Sequence, residues 1–332
     1  MPGKYHQTFL FENLNGPGDA RPTATQILED ENRADDLVGK VIIVTGASSG
    51  LGAETVRVLS TTGATIFGAV RDVEKGERPL GDLTQSDKVH LLPLDLGSLD
   101  SVRSFAKEFR SQSNQLNILV NNAGVMGVPE GTTQDGFETH FGTNHLGHFF
   151  LFWLLKDLLI ESSSSDFASR VINISSSEHR QSAVHLNNVN LKAEYNPFLA
   201  YGQSKTANIH MANQIERLYG SQGVHGLALA PGGVQTSIGQ HLSEEAKALF
   251  ADPKVQIFLK SVEQGAATTI FAAVGRELEG KGGIYLENCG IASPAPENAI
   301  PTDYGYAPWA FDQKEEENLW QLSLELVGEK EA

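Results

Sequence analysis

Thr45-Gly46-Ala-Ser-Ser-Gly50-Leu-Gly52 is the segment that most narrows what this chain can fold into. It directly follows Val41-Ile-Ile-Val-Thr45, an apolar run of strand type, and opens a stretch of helical pattern from Leu51 to Thr61. A strand that enters a helix through three glycines turns its backbone tightly and lets another group approach closely. The first N–H groups of such a helix face outward and favour an anion, above all a phosphate. The spacing, G-x-x-x-G-x-G, differs from the G-x-G-x-x-G of most dinucleotide-binding turns.

The strand-then-helix order continues along the chain. Further strands are predicted at Thr65 to Val70, Val89 to Leu94, Asn117 to Val120, Arg170 to Ile174, Val224 to Ala230 and Gly283 to Leu286. Helices are predicted around Ala24 to Asp36, at Ser98 to Arg110 behind a serine cap, at Gly136 to Ile160, and over 200–219 and 263–277. Such alternation means a parallel sheet covered on both faces. The expected class is α/β, a single-domain Rossmann fold whose doubly wound parallel sheet has about seven strands with helices on both faces. Residues 1–38 read as an N-terminal arm, 39–290 as the nucleotide-binding catalytic domain, and 291–332 as a C-terminal extension packing on the body. In that extension Leu319, Leu322 and Leu326 recur at helical spacing beside Trp320, which favours docking on the body.

Charge and cysteine usage exclude several kinds of partner. A formal net charge of −16 over 332 residues argues against nucleic acid and against an anionic membrane surface. The single cysteine, Cys289, rules out an internal disulfide framework and makes a reducing compartment the expectation. The strongest apolar run, His148 to Leu155, is broken by Lys156-Asp157 and is too short for a membrane span. No apolar signal-peptide core occurs before Pro22, so a soluble, cytoplasmic protein is expected.

Tyr201-Gly-Gln-Ser-Lys205 places a phenol and an ammonium on one helix face. An ammonium there can lower a phenol from its ordinary pKa of about 10. The phenol could then exchange a proton with a carbonyl or alcohol oxygen near neutral pH. Such pairs are common on solvated helices, and the upstream glycine turn is what makes this one chemical. The end of the second strand bears on the cofactor. An acidic residue there would bond a ribose 2′-OH and mark NAD. Val70 and Arg71 stand there instead, which suits a 2′-phosphate and predicts NADP(H). The alternative is Arg71 as a surface ion-pair partner of Asp72 or Glu74.

Thr45 to Gly52, Asp95-Leu96, Asn121-Asn-Ala-Gly124, Asn144, Ser175-Ser176, Tyr201 with Lys205, and Pro231 to Thr236 occur in an order and spacing that resembles the short-chain dehydrogenase/reductase family. The likeness covers about residues 38–290. Leu319-Trp320 with Ser323 and Glu325, and the long gap before Tyr201, look most like the retinol dehydrogenase and WW-domain oxidoreductase branch. The resemblance implies Tyr201 as general acid/base, and Lys205 lowering its pKa and bonding the nicotinamide ribose. It implies Ser176 hydrogen-bonding the substrate oxygen and Asn144 holding a water in a proton relay behind Lys205. It implies cofactor binding by Gly46, Ser48, Ser49, Gly50, Leu51 and Gly52, with Arg71 near the adenosine phosphate. Asp95 and Leu96 would meet the adenine, and Asn122, Ala123 and Gly124 the adenosine ribose. Pro231, Gly232, Val234 and Thr236 would line the nicotinamide, while Asn121 braces the sheet. Relatives often pair through the helices holding Asn144 and Tyr201, so a homo-oligomer is compatible, although the C-terminal segment could cap that surface.

Substrate choice is expected from the irregular segments. His185, Leu186, Tyr195, Pro197 and Phe198 lie before Tyr201, and Ile238, Leu242, Leu249 and Phe250 in a helical flap after Thr236. Their apolar character favours a lipophilic ketone or alcohol over a sugar or small acid. The histidines there, His179, His185 and His241, are expected at the surface, and no spacing suits a metal. Two other readings keep the fold: an epimerase or dehydratase, and a catalytically silent NADP-binding regulatory or scaffold protein.

Overall fold

Apolar runs become the buried strands of one sheet. In the computed structural model, which describes residues 4–300 and 302–331, the strands are β1 (Val41–Thr45), β2 (Thr65–Val70), β3 (Val89–Pro93), β4 (Ile118–Asn121), β5 (Ser169–Ile174), β6 (Val224–Ala230), β7 (Ile284–Glu287) and β8 (Gly290–Ile291). β1, β4, β5 and β6 are buried at every residue, as strands covered on both faces must be. The order is β3-β2-β1-β4-β5-β6-β7-β8. All pairs are parallel except β7 with β8, where a two-residue strand turns back on the edge. Seven parallel strands therefore match the expected sheet, and β8 is too short to show as a pattern in sequence.

The helices are α1 (Ala24–Asp30), α2 (Gly50–Leu59), α3 (Val73–Leu80), α4 (Leu99–Gln112), α5 (Gly147–Ser162), α6 (Pro197–Tyr219), α7 (Glu244–Ala251), α8 (Pro253–Gln256), α9 (Val262–Gly265), α10 (Ala267–Val274) and α11 (Gln313–Leu326). Alternate strand residues divide the core. Ile42 and Val44 face a layer of α1, α2 and α10, and Val41 and Ile43 face α4, α5, α6 and α11. Ser98 caps α4 by accepting from the Ser101 N–H, as the serine before that helix predicted. The predicted helix from Gly136 starts later. Glu138 first bridges to Thr132, then accepts from the His140 and Phe141 N–H groups, and a π-helical turn (Phe141–Leu146) precedes α5.

The described parts of the N- and C-terminal segments pack on this body. Arg21 is buried and donates to the carbonyls of Gly16, Phe258 and Leu259. Leu319, Trp320 and Leu324 of α11 are buried, with Leu322 and Leu326 partly so, and Trp320 meets Phe149 edge-on at 4.9 Å. Among the described residues no helix is long and apolar enough to cross a membrane.

Strand order reverses between β1 and β4, whose carboxyl ends therefore open a crevice. The loops after β1, β4, β5 and β6 meet there.

Candidate active site

The glycine turn after β1 is built for close approach. Gly46 has φ +70°, and a Cβ on it would stand 2.9 Å from the Ala123 Cα. Thr45 closes the other side. Its hydroxyl accepts from the Asn122 and Ala123 N–H groups, at 2.9 and 3.0 Å, while the Asn122 side chain donates to the Thr45 carbonyl. With two amide donors on that oxygen, the Thr45 proton goes to His148 Nε2, 2.8 Å away. The other imidazole nitrogen then donates to the Asn144 carbonyl at 2.9 Å.

Ser49, at the N-terminus of α2, makes no side-chain capping bond, whereas the caps of α1, α3, α4 and α6 all do. The free N–H groups beside exposed Ser49 and half-buried Ser48, Gly50 and Leu51 fit an anionic group, and a Cβ at Gly52 would run into the Gly46 carbonyl. Across the crevice Ser49 Oγ meets Ser237 Oγ at 3.2 Å, and Thr236 packs on Gly50. Arg71 is exposed after β2 and has no bonding partner among the described residues. The rival ion pair does not form, because Asp72 caps α3 and pairs with Lys75 at 3.3 Å. Asp95 turns its carboxylate to the Gly97 N–H at 2.9 Å, and Leu96 is buried beneath. Asn121 donates to Asn173 at 2.7 Å and so ties β4 to β5.

The two adjacent serines after β5 are separated by their partners. Ser175 is buried and donates to the Lys205 carbonyl at 2.8 Å. Ser176 is half-buried, its hydroxyl accepts from the Glu178 N–H at 3.2 Å, and it lies close enough to the Tyr201 phenol to lower that group's pKa. Tyr201 is only 5% exposed. Burial pushes its pKa well above the ordinary phenol value, and the neighbouring Ser176 hydroxyl opposes that rise. Lys205 is also buried and donates to the Ile174 carbonyl at 2.9 Å. Its Nζ lies 5.4 Å from the Tyr201 ring centre. Burial pulls the ammonium down to about 7. Desolvation therefore outweighs the expected effect of the lysine on the phenol in the protein alone.

Asn144 sits in the π-helical turn. Its amide donates to the Val125 carbonyl and Ser204 Oγ, at 3.0 and 2.9 Å, and its Oδ1 accepts from the Val125 N–H at 2.8 Å. On the side chain, only the second lone pair of Oδ1 is left for the expected water. After β6, Pro231 accepts from Lys260 Nζ at 2.9 Å, Gly232 has φ +92°, and Val234 bridges to Lys260.

Residues inside the Tyr-x-x-x-Lys motif have tasks that sequence reading missed. Gly202 lets the 3-10 turn Ser177–Gln181 rest on α6, since a Cβ there would be 2.7 Å from the Glu178 carbonyl. Gln203 accepts from the His185 N–H and donates to the Val189 carbonyl, holding the segment before α6. Ser204 donates to the Tyr201 carbonyl. The available signal was a helix whose polar residues recur on every face, which only burial explains. His179, expected at the surface, is fully buried under the C-terminal segment. Its neighbours Glu178 and Arg180 are polar, so its local sequence carried no sign of burial.

A family model described as short chain dehydrogenase matches residues 40–247. This chain belongs to the short-chain dehydrogenase/reductase family. It is 51% identical over 327 residues to the short-chain dehydrogenase/reductase prx1 of Penicillium roqueforti, covering 98% of this chain and 95% of that protein. It is 36% identical over 299 residues to retinol dehydrogenase 11 of Homo sapiens, covering 88% and 87% of the two chains. The family is therefore represented near the retinol dehydrogenase branch. Among solved structures, an uncharacterized protein from Mycobacterium paratuberculosis superposes with a TM-score of 0.67 at 32% identity, covering 89% of this chain and 95% of that one. The RhlG/NADP active-site complex from Pseudomonas aeruginosa superposes at 0.63 with 26% identity, covering 77% and 96%. The chain is thus an oxidoreductase of the nicotinamide-dependent kind.

Proposed function

We propose that the protein uses NADPH to reduce a ketone or aldehyde on a lipophilic small molecule, or runs the reverse alcohol oxidation. The observation that carries this reading is the buried Tyr201 phenol beside Ser176 with the buried Lys205 ammonium 5.4 Å from its ring centre. Gly46, Ser48, Ser49, Gly50, Leu51 and Gly52 would hold the pyrophosphate, and Arg71 the 2′-phosphate. Asp95 and Leu96 would meet the adenine, and Asn122, Ala123 and Gly124 the adenosine ribose. Pro231, Gly232, Val234 and Thr236 would lie along the nicotinamide, and Lys205 at its ribose. The NADP in the RhlG complex and the exposed, unpaired Arg71 both favour NADP(H) over NAD.

When bound, the reduced nicotinamide supplies the hydride. Tyr201 gives its proton to the substrate oxygen, and Ser176 donates a hydrogen bond to the same oxygen as negative charge develops there. A buried phenol with a raised pKa is fully protonated at neutral pH, which suits reduction more than oxidation. Lys205, pulled to about 7, can carry or release a proton at that pH and so restore the phenol through a water at Asn144. The name of the retinol dehydrogenase relative and the apolar side chains of Leu186, Phe198 and Leu242 support a lipophilic substrate.

Tyr201→Phe tests the mechanism. Turnover should fall by about 100- to 10,000-fold, the range for losing a general acid, while the Kd for NADPH stays within a factor of a few. An active Tyr201→Phe protein would overturn the mechanism, and equal Kd values for NADH and NADPH would overturn the cofactor assignment. Absence of NADPH oxidation with every member of a lipophilic ketone panel would favour a silent regulatory protein.

A further inference from the structure

His179 joins the candidate catalytic serine to the C-terminal segment. Its main-chain N–H and its Nδ1 both contact the Ser176 carbonyl, at 3.1 and 2.6 Å. A carbonyl only accepts, so Nδ1 carries the proton. On the far side of the ring the Ala307 N–H donates to Nε2 at 3.0 Å. An amide N–H only donates, so Nε2 must keep its lone pair, and the two partners select one neutral tautomer. Trp309 Nε1 then donates to the His179 carbonyl at 3.1 Å, and the Thr206 hydroxyl, next to Lys205, lies 3.0 Å from the same oxygen and 2.6 Å from the Ser182 carbonyl, with one proton between the two.

The segment that supplies Ala307 and Trp309 is itself anchored at both ends. Before it, Gly305 donates to half-buried Glu287 on β7 at 2.7 Å. After it, the Ala310 carbonyl accepts from Asn213 of α6, and α11 packs Trp320 into the core. Ser176 has no such support of its own. It stands at the end of β5, and its hydroxyl direction depends on the turn Ser177–Gln181 that it caps. The imidazole fixes that turn through the Ser176 carbonyl and packs edge-on against Tyr285.

We infer that His179 is a positioning residue for Ser176 and that the C-terminal segment 305–310 acts on the active site through it. This rests on the role of Ser176 proposed above. The segment does not touch the reacting atoms; it restricts where the serine hydroxyl points, and displacements of an ångström at a reacting group carry large rate penalties. Nothing in the local sequence around Ser176 requires the extension, so the catalytic body and its C-terminus are functionally coupled.

Two substitutions separate the two ring contacts. His179→Asn can keep a donor at the Nδ1 position but does not reach Ala307. His179→Gln can keep an acceptor at the Nε2 position but leaves the Ser176 carbonyl without its ring donor. Measured on the ketone the parent protein reduces fastest, His179→Gln should lower kcat by about 10- to 100-fold, the scale expected for a misplaced catalytic group. The KM and Kd for NADPH should stay unchanged, and His179→Asn should recover part of the kcat. Trp309→Phe, which keeps an aromatic ring but loses the indole donor, should lower kcat in the same direction. It should also speed amide hydrogen exchange at residues 177–182 while leaving β1 and α2 as protected as before.

A folded His179→Gln protein with parental kcat would overturn the inference. If that variant does not fold, Trp309→Phe with unchanged kcat and unchanged exchange at 177–182 overturns it instead. Exchange needs no substrate, so it decides even if the ketone panel gives no turnover. An active Tyr201→Phe protein would instead sink the reading of the site itself. An inactive Tyr201→Phe beside a fully active His179→Gln would sink the positioning role alone.

Discussion

On one side of the crevice, Ser175, Ser176, Tyr201 and Lys205 sit among hydrogen bonds that are mostly closed to solvent. On the other, residues from Pro231 to Phe258 contain one buried side chain, Leu242. α7 and α8 bury nothing, and Leu249 is 61% exposed. On the proposed mechanism the first wall holds the groups that meet the substrate oxygen in one geometry. The second is fastened at its ends, where Lys260 bonds Pro231 and Gly233 and the Ile257 and Phe258 carbonyls accept from Gly16 and Arg21, and between them chiefly by Ser49 with Ser237 and Leu242 against Gly127. Weakly fastened segments open at low cost, and loops of that kind admit substrate and close over it. On that mechanism the chemistry is preorganised where the chain is dense, and access would be through the sparse side.

The largest effect that would test this contrast is on the dense wall. Gly202→Ala places a Cβ 2.7 Å from the Glu178 carbonyl and 3.3 Å from Gln181 Cβ, so backbone must move beside both Ser176 and Tyr201. We expect kcat to fall about 100-fold and stability to drop by roughly 1–3 kcal/mol, the usual overpacking cost. Steady-state kinetics and urea unfolding measure both, and a parental kcat would show that the wall tolerates displacement.

An intermediate effect concerns pH. Burial holds His145 down to about 3 and His148 and His179 down to about 4, all within the dense half. Below pH about 6.5 the unfolded chain binds protons that the folded protein refuses, so stability falls as pH drops toward 4. Each histidine should contribute roughly 3 kcal/mol of that loss, from about 1.4 kcal/mol per pKa unit. Urea midpoints at neutral pH and near pH 4.5 check it, and a flat profile would mean these rings are not sealed from solvent.

The smallest effect belongs to the sparse wall. Leu242→Ala removes its one buried anchor, and we expect KM for the ketone to rise by about 3- to 10-fold, corresponding to the burial of one or two methylenes. The kcat should hardly change, and limited proteolysis should quicken between Thr236 and Phe258. A collapse of kcat instead would mean that this segment also orders the reacting groups.

Much of the nucleotide half could be read without coordinates because its signals are local. A glycine turn follows an apolar strand, and each later strand announces itself by a short apolar run. Asn121 was correctly expected to brace the sheet. The long helix from Gly136 was harder, since the capping carboxylate of Glu138 and the π-helical turn depend on partners that periodicity does not show. His179 was read as a surface residue because burial there comes from residues 307–309, well over a hundred positions away in sequence.

By itself the sequence determined the doubly wound sheet, the phosphate-suited turn and the pairing of Tyr201 with Lys205 on one helix face. Each follows from chirality, periodicity or spacing within a few residues of chain. Only the tertiary structure decided which serine faces Tyr201, that desolvation dominates the ionisation of Tyr201 and Lys205, and that the C-terminus braces the turn after Ser176. Those outcomes depend on burial and on hydrogen-bond partners brought from distant segments, which no local pattern encodes.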